Sequence, residues 1–270
     1  MHFPLLRFTW LSLLLAVAIC LLPLISRAAG VNPPGFPPFA ADDFQPAGLS
    51  PKEPEVIVDF PGGAVTRGIA IGTAVVSVSV DAEGKATDFL VIGCTDLAFG
   101  TKLLDQAKVL KYQAAKFKGV AVPARYDLGY EFKNFTTAVN PMDAARQRME
   151  KTAGTKLVYK PVAEKELDHP LEITNAALPQ LPEGISATEN NPVKVFVTFY
   201  IDEYGHVRAP NVESAATPEL IPGAISAISQ WSFKPPQVKG KPALVFAGRA
   251  IRFVPRQAAS VHTSGIAQKN

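Results

Sequence analysis

Between residues 75 and 132 apolar and polar positions first alternate with period two, then adopt a helical period, then alternate again. The same succession returns at a constant offset of 121 residues, between 196 and 253, without a gap. Val76, Val78 and Val80 alternate with Val75, Ser77 and Ser79, and Val197, Phe199 and Ile201 alternate with Phe196, Thr198 and Tyr200. Period two in β-branched and aromatic residues predicts a half-buried strand in each copy. Asp81 to Gly84 and Asp202 to Gly205 follow at once and predict tight turns, the Asp side chain starting the turn and the Gly closing it. A second strand is predicted over Phe89–Ile92 and over Asn211–Glu213, where Pro210 predicts a bulge or an edge.

The period then changes. Leu103, Ala107 and Leu110 form one helical face, matched by Ala224, Ile228 and Trp231. Thr101 is the expected cap of the first helix, and Thr217-Pro218-Glu219 reads as the start of the second. Loops holding Lys118-Gly119 and Lys239-Gly240 lead to a last strand. Tyr126, Leu128, Tyr130 and Phe132 share one face of it in the first copy; Ala247, Arg249, Ile251 and Phe253 are their equivalents, with Arg249 interrupting the apolar row. The expected fold class is therefore α+β: two tandem β-β-α-β units, each a small antiparallel sheet with one helix packed on one face.

The motifs of this repeat carry a resemblance. The first copy has Phe60-Pro61, Gly72, Asp81 to Gly84 and Leu110-Lys111-Tyr112. The second has Asp202 to Gly205, Trp231-Ser232-Phe233-Lys234-Pro235 and Gly240-Lys241-Pro242, and opens on Leu178-Pro179-Gln180-Leu181-Pro182 in place of an aromatic-proline pair. This order resembles the C-terminal domain of the TonB family. The division that follows is a signal peptide or membrane anchor over 1–28, a proline-rich extended leader over 29–54 and a first TonB-C-like repeat over 55–134. A linker with a short helix follows over 135–177, then a second repeat over 178–255 and a disordered tail over 256–270. The linker helix starts at Asn140-Pro141 and runs to Lys151.

Residues 8–25 are apolar behind Arg7, and Ser26-Arg27-Ala28 places small residues where a signal peptidase reads. Uncleaved, the same run is long enough for a membrane anchor. Cleavage after Ala28 removes two of the 27 bases, Arg7 and Arg27, and none of the 24 acids, so the net charge falls from +3 to +1. A near-neutral chain without a basic face excludes nucleic acid as a partner. Ile19 before Cys20 argues against lipidation. Cys94 is then the one remaining thiol, read either as a pairing site between chains or as a small buried hydrophobe, with Ala215 at the equivalent position. The seven prolines between Pro33 and Pro54 predict a stiff leader spanning on the order of 80 Å.

Chemistry is sparse. His2, His169, His206 and His262 lack neighbours at metal-ligand spacing, and nucleophile elbows, phosphate-cradling glycine loops and Cys-x-x-Cys pairs are absent from the sequence. No catalytic residue, metal or cofactor is expected, and the chain reads as a binding protein. The resemblance implies capture of an extended peptide or partner protein, an outer-membrane receptor in that family, along the last strand and near Phe60 and Pro61. The residues this implies are Phe60, Pro61, Arg125, Asp127, Gly129 and Glu131 in the first copy, with Phe246 and Arg252 in the second. The alternative for each is structural: Phe60 in the core, Pro61 in a turn, and the last strands covered by the other copy. An exported periplasmic module is one reading. A TonB-type energy transducer, anchored in the inner membrane by residues 8–25 and facing the periplasm, is the other. In the family's anchor a Ser and a His stand one turn apart; here Ser12 is followed by Ala16, which favours the exported module.

Overall fold

Two long hairpins dominate the computed structural model, which describes residues 32–53, 56–134, 156–188 and 191–253. The signal peptide or anchor, the linker helix over 140–151 and the tail over 256–270 lie outside these residues. In the first repeat β3 (Ile71–Val80) and β4 (Ala86–Cys94) form the hairpin, with β8 (Ala124–Lys133) on the other side of β3; the sheet order is β4-β3-β8. In the second repeat β11 (Val193–Ile201) pairs with β12 (Val207–Ser214) and with β16 (Val245–Phe253). The repeated aspartates hold both turns. Asp81 Oδ1 accepts from the Glu83 and Lys85 amides at 3.1 and 2.7 Å, and Asp202 Oδ1 accepts from Tyr204 and His206 at 3.0 and 2.9 Å.

Helix α2 (Leu97–Ala107) lies on the first sheet, with Phe99, Leu103 and Ala107 against Val76, Val78, Val80, Leu128 and Phe132. Its cap is Asp96, whose Oδ1 accepts from the Ala98 amide at 2.9 Å; Thr101, the expected cap, lies one turn inside and donates to the Leu97 carbonyl. Asp is a better cap because its carboxylate also faces the positive end of the helix. Helix α3 (Leu220–Ser229) covers the second sheet through Leu220, Ile221, Ala224 and Ile228 on Val195, Val197, Phe199 and Ile201. Burial of Phe132 and its equivalent Phe253, both essentially complete, contributes roughly 2–3 kcal/mol each.

The expected fold class does not hold. Strands are scattered over several small sheets, and the second large sheet is not purely antiparallel. Its order is β12-β11-β16-β9, where β9 (Val162–Ala163) runs parallel to β16. The leader supplies β1 (Phe44–Gln45) and β2 (Gly48–Leu49), which pair with β6 (Ala115–Phe117) and β5 (Tyr112–Gln113). β6 also pairs with β7 (Val120–Val122) across the Lys118-Gly119 turn. Likewise β10 (Ile173–Asn175) pairs with β13 (Ser232–Phe233), and β14 (Gln237–Val238) with β15 (Lys241–Pro242) across Lys239-Gly240. A three-stranded sheet of this size cannot cover its own edges and hairpins, so each repeat recruits chain from upstream of its expected boundary. Between residues 32 and 53 the proline-rich leader is thus packed, not an outlying spacer: Phe39 lies 4.5 Å from Phe117 and 4.8 Å from Phe44, ring centre to ring centre. A further short helix, α1 (Gly62–Thr66), follows Pro61.

The faces turned away from the helices meet each other. Leu90 and Ile92 of the first repeat and Tyr200, Ala209 and Leu244 of the second form one buried cluster, flanked by Val75 and Phe246. From Asn32 onward the repeats therefore belong to one compact unit with helices outside and sheets inside. At the expected bulge the register between β11 and β12 shifts between Thr198 and Tyr200, opposite Ala209-Pro210, and Ala209 takes a φ of 44°.

Candidate functional site

Among the described residues the last strand of the first repeat is the end of its sheet. β8 pairs with β3 through ten residues in unbroken register, so inward and outward amides alternate along its length. Two hydrogen bonds fix the phase. The Asn134 amide donates inward to the Ala70 carbonyl at 2.9 Å, while the Arg125 amide donates outward to Asn211 Oδ1 at 3.0 Å. Even-numbered residues thus serve β3, and Arg125, Asp127, Gly129, Glu131 and Lys133 turn their backbone groups off the edge.

Side chains divide these positions sharply. Arg125, 7% exposed, is locked between the sheets. Its guanidinium donates to the Ala209 carbonyl at 3.3 Å, lies 3.8 Å from Glu213 and 3.6 Å from Asp127, and sits over the rings of Tyr200 and Phe246 at 5.2 and 5.6 Å. Arg125 holds the two repeats together and has nothing left for a partner. Asp127 accepts from the buried Ser77 hydroxyl at 2.7 Å and keeps its side chain 44% exposed. Gly129 is exposed, and Glu131 pairs with Lys133 at 3.0 Å.

The equivalent edge in the second repeat is β16, where the Leu244 carbonyl accepts outward from the Val162 amide at 2.9 Å. Phe246, Gly248, Ala250 and Arg252 share this outward phase. Here the chain covers its own edge. β9 lies along Val245 and Phe246, and Arg249 clasps Glu164 through two bonds of 2.7 and 2.9 Å. The clamp borders an open groove lined also by Lys165, Leu167, Pro170 and Leu171. The Phe246 ring packs 5.2 Å from Tyr200 between the sheets, whereas Arg252 is exposed.

Phe60 and Pro61 do not join either edge. The Phe60 ring meets Phe99 edge-on at 5.2 Å, and buried Pro61 opens α1, its carbonyl accepting from Ala64 at 2.9 Å. Phe60 is partly buried against the core and Pro61 is the residue before the first turn of α1. The residues that sequence reasoning missed are Asp88, Arg208, Asn211 and Glu213, which bind one repeat to the other. Their only signal was the broken alternation at Pro210. Among the described residues no group of three or more His, Cys, Asp or Glu stands together to hold a metal ion, and no helix is long and apolar enough to cross a membrane.

Comparison with protein-family models, with curated proteins and with solved structures finds no match.

Proposed function

We propose that the protein is a non-catalytic strand-capturing module of the bacterial envelope, exported to the periplasm, which binds an extended segment of a partner protein along β8. The observation that carries this reading is the row of outward backbone groups at Asp127, Gly129, Glu131 and Lys133 at the end of a sheet. Among the described residues no strand pairs with this side of β8, and such an edge is a template for one more strand, with main-chain hydrogen bonds supplying affinity. The chain itself lends support, since it adds β9 to the corresponding edge of β16. The TonB-like motifs point to the same mode and to an outer-membrane receptor as the source of the segment.

The test is fluorescence anisotropy with a labelled seven-residue peptide of alternating Val and Thr, and with the same peptide N-methylated at alternate amides. Capture of the first and not of the second is expected, because methylation removes the donors facing β8. Equal binding of both, or of neither, contradicts strand addition.

A further inference from the structure

The two last-strand edges are equivalent by sequence offset but not in what covers them. In the second repeat an added Cβ on Gly248 would come within 2.7 Å of the Phe196 ring, so that ring lies directly over the glycine. The Phe36 ring packs on Phe196 at 5.6 Å. Together with β9 and the Arg249–Glu164 clamp, this aromatic pair fills the second edge from within the chain. In the first repeat Phe196 is replaced by Val75 and Gly248 by Asp127, and the edge glycine stands one pair along, Gly129 (the match of Ala250) directly opposite Val75. Among the described residues a Cβ on Gly129 would meet only Val75 Cγ2, at 3.8 Å. A notch is therefore left on the exposed side of β8, with the half-exposed carboxylate of Asp127 two residues away on the same face.

We infer that the two repeats divide the work: the second edge is closed by the chain's own segments, and the first accepts one extended peptide carrying an aromatic residue opposite Gly129 and a basic residue opposite Asp127. The inference rests on the strand-addition reading above. An aromatic side chain laid across an edge glycine recovers the packing the glycine lacks, which is what Phe196 does at Gly248. Opposite charges on directly facing cross-strand residues attract, and Asp127 is the acid beside the notch. On the other face of an added strand, alternate residues meet the partly exposed rings of Tyr126 and Tyr130, so apolar residues belong there.

The probe is a fluorescein-labelled Thr-Lys-Val-Trp-Val-Lys-Thr peptide, symmetric so that either strand direction presents the same pattern, titrated into the full chain. One peptide per chain is expected, with about fivefold weaker binding when Trp is replaced by Ala or both Lys by Glu. Gly129→Pro removes an outward amide without touching the β3 ladder and abolishes capture; Ala250→Pro, at the matching place in β16, leaves it intact. Should Gly129→Pro not fold, Gly129→Phe fills the notch and weakens the Trp probe selectively. Loss of capture with Ala250→Pro instead, or two peptides per chain, overturns the division of labour and leaves strand addition standing. Capture indifferent to both proline variants, or no capture at all, overturns strand addition itself. A chain that self-associates through β8, with Gly129→Pro restoring the monomer, names a second copy as the occupant and overturns the peptide assignment.

Discussion

Arg208 of the second repeat grips Asp88 of the first through two charge-assisted bonds, Nε to Oδ2 at 3.0 Å and Nη2 to Oδ1 at 2.6 Å. The same guanidinium donates to the Phe89 carbonyl at 3.1 Å and stands 3.6 Å from Asp202. The carboxylates around it hold the guanidinium proton more firmly than usual, chiefly through the Asp88 bond. Planar, bidentate pairing of this sort fixes orientation as well as distance.

Because each side chain of the pair is about 30% exposed, its loss costs less than that of a fully buried pair. Arg208→Ala and Asp88→Ala should each destabilise the chain by about 1–2 kcal/mol in urea unfolding, with a coupling of about 1 kcal/mol in the double-mutant cycle. Simple additivity of the two would show that the pair does not join the repeats.

The two hairpin glycines are not equally demanding. Gly84 and Gly205 both hold positive φ, 82° and 89°. A Cβ on Gly84 would stand 3.1 Å from the Tyr112 carbonyl oxygen, but one on Gly205 would run into the Phe233 carbonyl oxygen. Gly84→Ala should cost about 1–2 kcal/mol from backbone conformation. Gly205→Ala should cost clearly more, about 3 kcal/mol or above, since a backbone carbonyl must move. Chemical denaturation of the two variants side by side checks the order.

Asp168 accepts from the Gly240 and Lys239 amides, both at 2.8 Å, and caps the turn between β14 and β15. These bonds, that from Gly240 foremost, hold its carboxyl below the ordinary value of 3.8. A depressed folded-state pKa stabilises above the unfolded value, and the gain is lost as pH falls through the folded one. The urea midpoint of the wild type should therefore exceed that of Asp168→Asn at about pH 6, and the gap should close by about pH 2. A gap unchanged across this range would remove the carboxylate from the account.

Cys94 is fully buried, and burial, followed by the charge of Asp96, raises its thiol pKa against a smaller opposing bond from the Gly100 amide. Thiolate is the reactive form. A folded chain beginning at Ala29, which lacks Cys20, should leave a disulfide reagent such as DTNB unreacted at mildly alkaline pH, and react at once when unfolded in guanidinium. Fast labelling of the native chain would place the thiol at the surface.

The parts of this structure legible in the sequence are those with local causes. Period-two alternation located β3, β8, β11 and β16, Asp-x-x-Gly located both hairpins, and Leu103 with Ala107 and Ala224 with Ile228 located the helix faces. What joins the repeats left no such trace. Thr198, Tyr200, Arg208, Asn211 and Glu213 look like an outer, solvated row, and only the facing sheet turns them inward. Strands of two or three residues such as β1, β2, β9 and β10 are too short to alternate, so the borrowed edges were invisible and the fold class was misread. The edge residues came out in two parts. Strand periodicity puts the side chains of Arg125, Asp127, Gly129 and Glu131 on one face, but which backbone groups leave the edge is set by pairing with β3, and the burial of Arg125 and Phe246 depends on the other repeat.

The measurement that tests the open edge most directly is residue-resolved amide hydrogen exchange along β8, without and with the Thr-Lys-Val-Trp-Val-Lys-Thr peptide. In the free chain Leu128, Tyr130 and Phe132 should exchange slowly and Asp127, Gly129 and Glu131 fast, because only the first set donates to β3. Added peptide should slow the second set and leave the first unchanged. Uniform slow exchange in the free chain, or an outward set that ignores the peptide, would contradict an edge open for strand capture.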